Sequence, residues 1–310
     1  MSVRAYQRKA LSLGLTRRRA HAGMIHMDRL SPVTDPHVAY ALGFLWADGS
    51  LRQDPYRMVT VSAVETDMAD IRETLEHLGQ FTVRRVHQHT EGVNRKPQTQ
   101  LYTHDQAFCR FMADMGYATK STDSPDRIIT YLDEPMRRSF WHGYFDGDGC
   151  LSLDRKQCTT RASFAGSYIQ RWDAVIAMLE GLDIHGYRVR PESYTTKDGA
   201  VHRCSKVAIG NRPEVIKLMT YLMADPVPGL SRKREKVREL AQWAEWAVAF
   251  NHGKGVPTHR GRRVIRSDGQ EYATIRDAAR AVPCDASCVS EVLAGERTIT
   301  KGFGFRYATG

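Results

Sequence analysis

Ala41-Leu42-Gly43-Phe44-Leu45-Trp46-Ala47-Asp48-Gly49 and, one hundred residues on, Trp141-His142-Gly143-Tyr144-Phe145-Asp146-Gly147-Asp148-Gly149 are the two stretches that decide the fold. Each is an apolar, helix-like run ending in aspartate and glycine. Small residues fall four apart in both, Gly43 with Ala47 and Gly143 with Gly147, so they share a helix face and admit another backbone at very short range. Two such faces fit each other. Packed together, they bring Asp48 and Asp148 side by side at the C-terminal ends of paired helices, where helix dipoles and two carboxylates favour divalent cations.

The pattern beyond each stretch is repeated too. After Gly49 the segments Ser50 to Gln53 and Met58 to Ala63 read as strands, Thr66 to Leu78 as a helix capped by threonine, Phe81 to His89 and Gln98 to Thr103 as strands, and Gln106 to Met115 as a helix. After Gly149 the order recurs: alternating residues from Leu151 to Asp154 and Arg161 to Phe164, a helix from about Tyr168 to Leu179, strands near Tyr187 to Glu192 and His202 to Ile209, and a helix from about Pro213 to Leu222. The predicted fold class is α+β, two pseudo-symmetric αββαββα lobes with the marked helices as their seam. The expected divisions are a basic helical extension over 1–37, lobes over 38–132 and 133–250, a linker over 251–263 and a small module over 264–310. Lys233 to Phe250 should close the second lobe. In the module, Thr274 to Asp277 has capping-box spacing, Pro283 ends that helix, and Asp285 can cap a second one that presents Ser287, Ser290 and Arg297 outward.

Composition bounds the function. The chain has 310 residues, 42% of them hydrophobic, and a formal charge of +10, which favours a polyanionic partner. Arginines cluster near the start (Arg4, Arg8, Arg17, Arg18, Arg19) and around Arg260, Arg262, Arg263 and Arg266. The six cysteines contain no CxxC pair, so neither a zinc ribbon nor a thioredoxin-type centre is indicated. No apolar run approaches a membrane span, and a soluble, intracellular protein is expected. An EF-hand is excluded, because counting from Asp146 places Leu151 where its glycine belongs and Gln157 where its glutamate belongs.

At these residues the sequence resembles the LAGLIDADG homing endonucleases, in the form where one chain carries both motif copies. The resemblance runs from Val38 to about Phe250, and the C-terminal segment resembles the helix-turn-helix modules appended to mobile-element nucleases. It implies that Asp48 and Asp148 bind Mg2+, two or three ions that Mn2+ or Ca2+ can replace, together with backbone oxygens near Ala47 and Gly147. It implies a lysine beside each site, Lys120 in the first half and Lys233 in the second, to orient water or steady phosphoryl charge; a solvated surface amine is the alternative for each. A staggered double-strand break across the minor groove, with short 3′ overhangs, is the implied reaction. Trp46 stands where the second copy has Asp146; facing away from the aspartate, it is expected to pack in the lobe core. His142 is expected to be a helix-face histidine rather than a ligand.

Each lobe should offer a curved sheet to DNA. Residues opposite the apolar positions are Arg52, Arg57, Arg84 and Gln100 in the first lobe, and Lys156, Arg161, Arg188, Arg190, Arg203 and Lys206 in the second. Arginine and glutamine can read guanine and adenine, although each of these can equally contact phosphate or only solvent. The expected partner is double-stranded DNA of about two helical turns, bound by a monomer. Intron RNA is a second possible partner. A non-cleaving RNA maturase or DNA-binding regulator on the same fold is the rival reading, weakened by the retention of both aspartates.

Overall fold

The computed structural model describes residues 24–53, 57–86, 97–154, 159–196, 199–253 and 263–308, with 243–253 described as backbone only. One compact unit extends to Ala241 and a second begins at Gln242.

The larger unit is the anticipated repeat. Its first half runs α1 (Pro36–Asp48), β1 (Gly49–Arg52), β2 (Met58–Val64), α2 (Glu65–Glu76), β3 (Thr82–Val86), β4 (Gln98–Thr103) and α3 (Gln106–Asp114). A short helix, α4 (Asp126–Tyr131), leads into the second half. That half runs α5 (Glu134–Asp148), β5 (Gly149–Asp154), β6 (Thr159–Ser167), α6 (Asp173–Gly181), β7 (Tyr187–Thr195), β8 (Val201–Ile209) and α7 (Arg212–Met223), before α8 (Ser231–Gly253). The two four-stranded antiparallel sheets have the same order, β1-β2-β4-β3 and β5-β6-β8-β7.

Local chemistry sets the ends of the central helices alike. Asp35 caps α1 by accepting from His37 N at 2.9 Å, Asp133 caps α5 by accepting from Met136 N at 3.2 Å, and a proline opens each helix. At the other ends the Gly49 and Gly149 amides bond back to the Leu45 and Phe145 carbonyls. Val38 to Trp46 are all buried, as expected of a helix enclosed on every side by its own lobe and its neighbour. Tyr40, Phe44, Phe140, Trp141, Tyr144, Phe145 and Phe164 form the aromatic heart of the core.

Two helix starts differ from expectation. α2 begins at Glu65 with Val64 at its cap and no side-chain cap bond, so Thr66 lies inside the first turn. α6 begins at Asp173, because β6 continues to Ser167 and a turn follows. The basic N-terminal residues through Arg19 lie outside the described residues, as do Lys156, Arg260 and Arg262. Among the described residues no helix is long and apolar enough to cross a membrane.

The smaller unit has β9 (Val264–Arg266), β10 (Glu271–Tyr272), α9 (Ile275–Ala281), α10 (Ala286–Ala294) and β11 (Phe305–Tyr307), with strand order β10-β9-β11. Thr274 caps α9 by accepting from Asp277 N at 3.1 Å. Asp285 makes no side-chain cap bond to α10, which ends on the left-handed Gly295. Val264, Ala278, Ala279, Val282, Val289, Val292 and Phe305 supply its own core, and Ser287 and Ser290 point to solvent. Arg297, just beyond α10, pairs with Glu291 at 3.6 Å.

Candidate active site

The α1–α5 seam closes at glycine. A Cβ on Gly43 would lie 1.9 Å from the Phe140 carbonyl oxygen, and one on Gly143 would lie 2.0 Å from the Tyr40 carbonyl oxygen. These contacts are each other's image under the hundred-residue repeat. Further along, a Cβ on Gly147 would sit 2.2 Å from Ala47 Cβ and 3.4 Å from Asp48 Oδ2. The Asp48 carboxylate therefore lies against the last turn of the opposite helix, next to Asp148.

The pair is electrostatically loaded. Burial raises the Asp48 carboxyl above its ordinary value, against the pull of Lys120, Lys233 and Arg232. Asp148 is pushed up to about 6, by burial first and by the Asp48 charge second. Both residues keep surface open to solvent while protein atoms crowd their carboxylates. Two partly desolvated carboxylates at converging helix C-termini form a hard, oxygen-only donor pair, which fits a divalent cation such as Mg2+.

A buried ammonium accompanies each helix end. Lys120 Nζ donates to Ala47 O at 2.7 Å and to the Trp46 and Leu45 oxygens. Lys233 Nζ donates to Asp146 O and Gly149 O, each at 2.7 Å, and to Phe145 O. Helix C-terminal carbonyls and their dipole suit a cation. Burial nevertheless brings each ammonium down to about 8, with Asp148 and Asp48 resisting for Lys120, and Asp146 and Asp48 for Lys233. Ala47 O thus already serves Lys120, although a carbonyl has a second lone pair to offer.

The second helix carries a polar cluster that the first lacks. Asp146 Oδ2 accepts from Tyr40 Oη at 2.6 Å and from Leu230 N at 2.7 Å, while its Oδ1 has no partner. His142 Nδ1 meets Asp225 Oδ2 at 2.8 Å, and Ser139 Oγ donates to Asp225 Oδ1 at 2.7 Å. His142 is therefore a buried helix-face histidine paired with Asp225. Trp46, at the place of Asp146, packs edge-on to Tyr117 with ring centroids 4.8 Å apart.

Strand register assigns the sheet faces. Arg84 pairs with Gln100 and Gln100 with Ser62, on the side away from buried Val59, Val61 and Leu101; Arg52, paired with Met58, shares it. Arg57 does not, since it precedes β2 and is half-buried. In the second sheet Arg161, Arg188, Arg190 and Lys206 share the open face, with Arg190 directly opposite Lys206. Lys206 is ion-paired to Glu192 at 2.6 Å. Arg203 is a correction: paired with Ser193, it lies on the other face, over the Tyr168 ring. The open face also holds Tyr194 and His202, stacked at 5.4 Å, which residue type alone did not single out.

Among the described residues, Asp35, His37 and His77 also gather, at the opposite end of α1. The two imidazoles stack 4.2 Å apart at 15°, and nearly parallel planes cannot both contain one ion at bonding distance. Asp35 instead accepts from both rings, tying the start of α1 to the end of α2.

No family model and no curated protein matches the sequence. Among solved structures, the homing endonuclease I-WcaI bound to its DNA recognition sequence is 12% identical, covering 73% of this chain and 96% of that one with a TM-score of 0.44. The LAGLIDADG meganuclease I-AabMI bound to uncleaved DNA is 10% identical, covering 70% and 92%, with a TM-score of 0.42. The N-terminal LAGLIDADG domain of DUF199/WhiA is 12% identical, covering 66% and 89%, with a TM-score of 0.36. At such identities and scores the chemistry of this chain rests on its own residues.

Proposed function

We propose that this protein is a site-specific, divalent-metal-dependent DNA endonuclease of the homing type, cutting both strands of a long duplex with a stagger. The observation that carries the reading is the Asp48–Asp148 pair across a glycine-tight seam, with a lysine ammonium bonded to backbone carbonyls at each helix end. Asp48 and Asp148, with backbone oxygens at Ala47 and Gly147, would hold the metal. Bound there, Mg2+ would neutralise phosphate charge, activate water and stabilise the departing oxygen.

The chain's own residues supply the rest. Near neutral pH, ammoniums brought down to about 8 are still mostly protonated, so Lys120 and Lys233 act as cations facing phosphoryl charge rather than as bases. The arginines on the two open faces supply the groove and backbone contacts, with Arg52 and Arg84 on one sheet and Arg161, Arg188 and Arg190 on the other. Ser287, Ser290 and Arg297 extend the footprint through the smaller unit. One monomer suffices, because both halves of the site lie in one chain.

The test is cleavage of a randomised-site duplex library with Mg2+, beside Asp48→Asn and Asp148→Asn. Cleavage by wild type alone is the expected result. DNA bound equally by all three and cut by none would transfer the reading to a binding protein.

A further inference from the structure

The two lysines lie in segments that follow the last strand and the next helix of their own repeats, but both segments are fastened to the other lobe. Ahead of Lys233, Ser231 N and Oγ donate to the Asp70 carboxylate at 2.9 and 2.8 Å, and Arg232 grips Asp67 through Nε at 3.0 and 3.1 Å and through a terminal nitrogen at 2.9 Å. Asp67 and Asp70 belong to α2, in the first lobe. Beyond Lys120, the Thr122 carbonyl accepts from Arg171 N at 2.8 Å, the Asp123 carbonyl from Gln170 Nε2 at 2.6 Å, and Ser124 Oγ from Ala174 N at 2.8 Å. Those partners belong to the second lobe. Ser167, the last residue of β6, likewise donates to the Ser121 carbonyl. The docking is reciprocal, but its chemistry is not: neutral hydrogen bonds hold the Lys120 segment, and two carboxylates hold the Lys233 segment.

We infer that α2 of the first lobe positions Lys233 for the strand cut at the second motif, and that the 167–174 segment of the second lobe positions Lys120 for the strand cut at the first. Asp67, Asp70 and Arg232 are then positioning residues for one strand only, and Gln170 and Ser124 for the other. This rests on the endonuclease reading. A carboxylate acts here through a rigid path: Asp70 fixes Ser231, the first residue of α8, and Lys233 lies two residues further on, with its Nζ held among the Phe145, Asp146 and Gly149 carbonyls. Fastening the two segments crosswise also makes each site complete only when the lobes are closed on each other.

The experiment measures the rate of each strand separately, on an end-labelled duplex carrying the target selected from the library, with full-length protein. Lys120→Met and Lys233→Met first assign a strand to each lysine. Asp70→Ala and Arg232→Met are expected to slow the strand assigned to Lys233 by on the order of ten- to a hundred-fold while leaving the other within about two-fold, because small misplacements of a charged group cost that much. Arg232→Lys, which keeps the charge, should recover part of the loss, and Gln170→Ala with Ser124→Ala should slow the Lys120 strand. Arg232 is half-exposed, so its variants remain folded even where Asp70→Ala does not. Equal slowing of both strands, slowing of the Lys120 strand by Arg232→Met, or no strand effect would overturn the inference with the nuclease intact. A wild type that cuts neither strand would instead overturn the endonuclease reading, and the inference with it.

Discussion

Adding one methyl group at Gly43 is the sharpest test of the seam. The new Cβ would stand 1.9 Å from the Phe140 carbonyl oxygen, and real contacts essentially never fall under 3.0 Å, so the helices must part by at least about 1.1 Å. The obstacle is the backbone of Phe140, a fully buried residue of α5, which cannot swing aside as a side chain does. Overpacking of this kind costs about 1–3 kcal/mol, here at the upper end, and the better helix propensity of alanine returns up to about 1 kcal/mol. A net loss of about 2 kcal/mol corresponds to a fall in Tm of about 4–8 °C for a unit of this size. The same displacement moves Asp48 relative to Asp148, and a misplacement of about 1 Å can cost on the order of a hundred-fold in rate. Gly43→Ala should therefore lower Tm and slow both strands together, and Gly143→Ala should do the same through the Tyr40 carbonyl. Gly181→Ala is the control: nothing lies within 4 Å of its Cβ, so stability should hold or rise by up to about 1 kcal/mol. Thermal unfolding and strand cleavage read both effects. Wild-type Tm and wild-type rates in Gly43→Ala would refute the close-packed seam as the device that joins the two carboxylates.

Other consequences are testable in the same protein. Asp148 titrates near 6 when folded, above the ordinary carboxylate value of 3.8, so the folded state holds the extra proton in that window. Without divalent cations, stability should fall as pH rises from about 4 to about 6, and Asp148→Asn should flatten that slope in pH-dependent unfolding. The lysines have the opposite sign: held near 8 against 10.5 unfolded, they should make stability rise as pH goes from about 8 to 10.5, less so in Lys120→Met. Mg2+ at about one hundred times its dissociation constant should stabilise the fold by about 2.7 kcal/mol above pH 6, an effect lost in Asp48→Asn and Asp148→Asn and reversed by chelator. His142→Ala should cost about 3 kcal/mol or more in denaturant unfolding, since it strips the buried Asp225 of its imidazole partner.

The repeat was legible because duplication writes itself at a constant offset: small residues at 43 and 143, aspartates at 48 and 148, and alternating strands after each. The features that the sequence concealed depend on geometry it does not encode periodically. The start of α6 was misplaced because nothing in residues 168–172 distinguishes a turn from a first helical turn until β6 is seen to continue through Ser167. Arg203 is different, since the information was present: it stands three residues from Lys206, and odd spacing puts strand neighbours on opposite faces. The Asp67–Arg232 and Asp70–Ser231 bonds span more than 160 residues and involve side chains typical of any solvated helix. No local pattern marks them.

One breach of the repeat, tryptophan at 46 against aspartate at 146, acquires a physical reason from the structure. Tyr117 lies three residues before Lys120, and Leu230 lies three residues before Lys233. Trp46 meets Tyr117 edge to face, while Asp146 accepts the Leu230 amide. The same helix position therefore touches the same point of each lysine-bearing segment, once through ring packing and once through a buried carboxylate. The carboxylate needs donors, and the second half provides them in Tyr40 Oη and Leu230 N, with Gly229 at φ +64° leaving room: a Cβ there would lie 2.4 Å from Asp146 Oδ2. At that place in the first half Trp46 carries no charge, and the Tyr117 hydroxyl is satisfied by the Leu42 carbonyl. The halves have diverged in chemistry while keeping one mechanical task, which is to hold a lysine against the end of its motif helix.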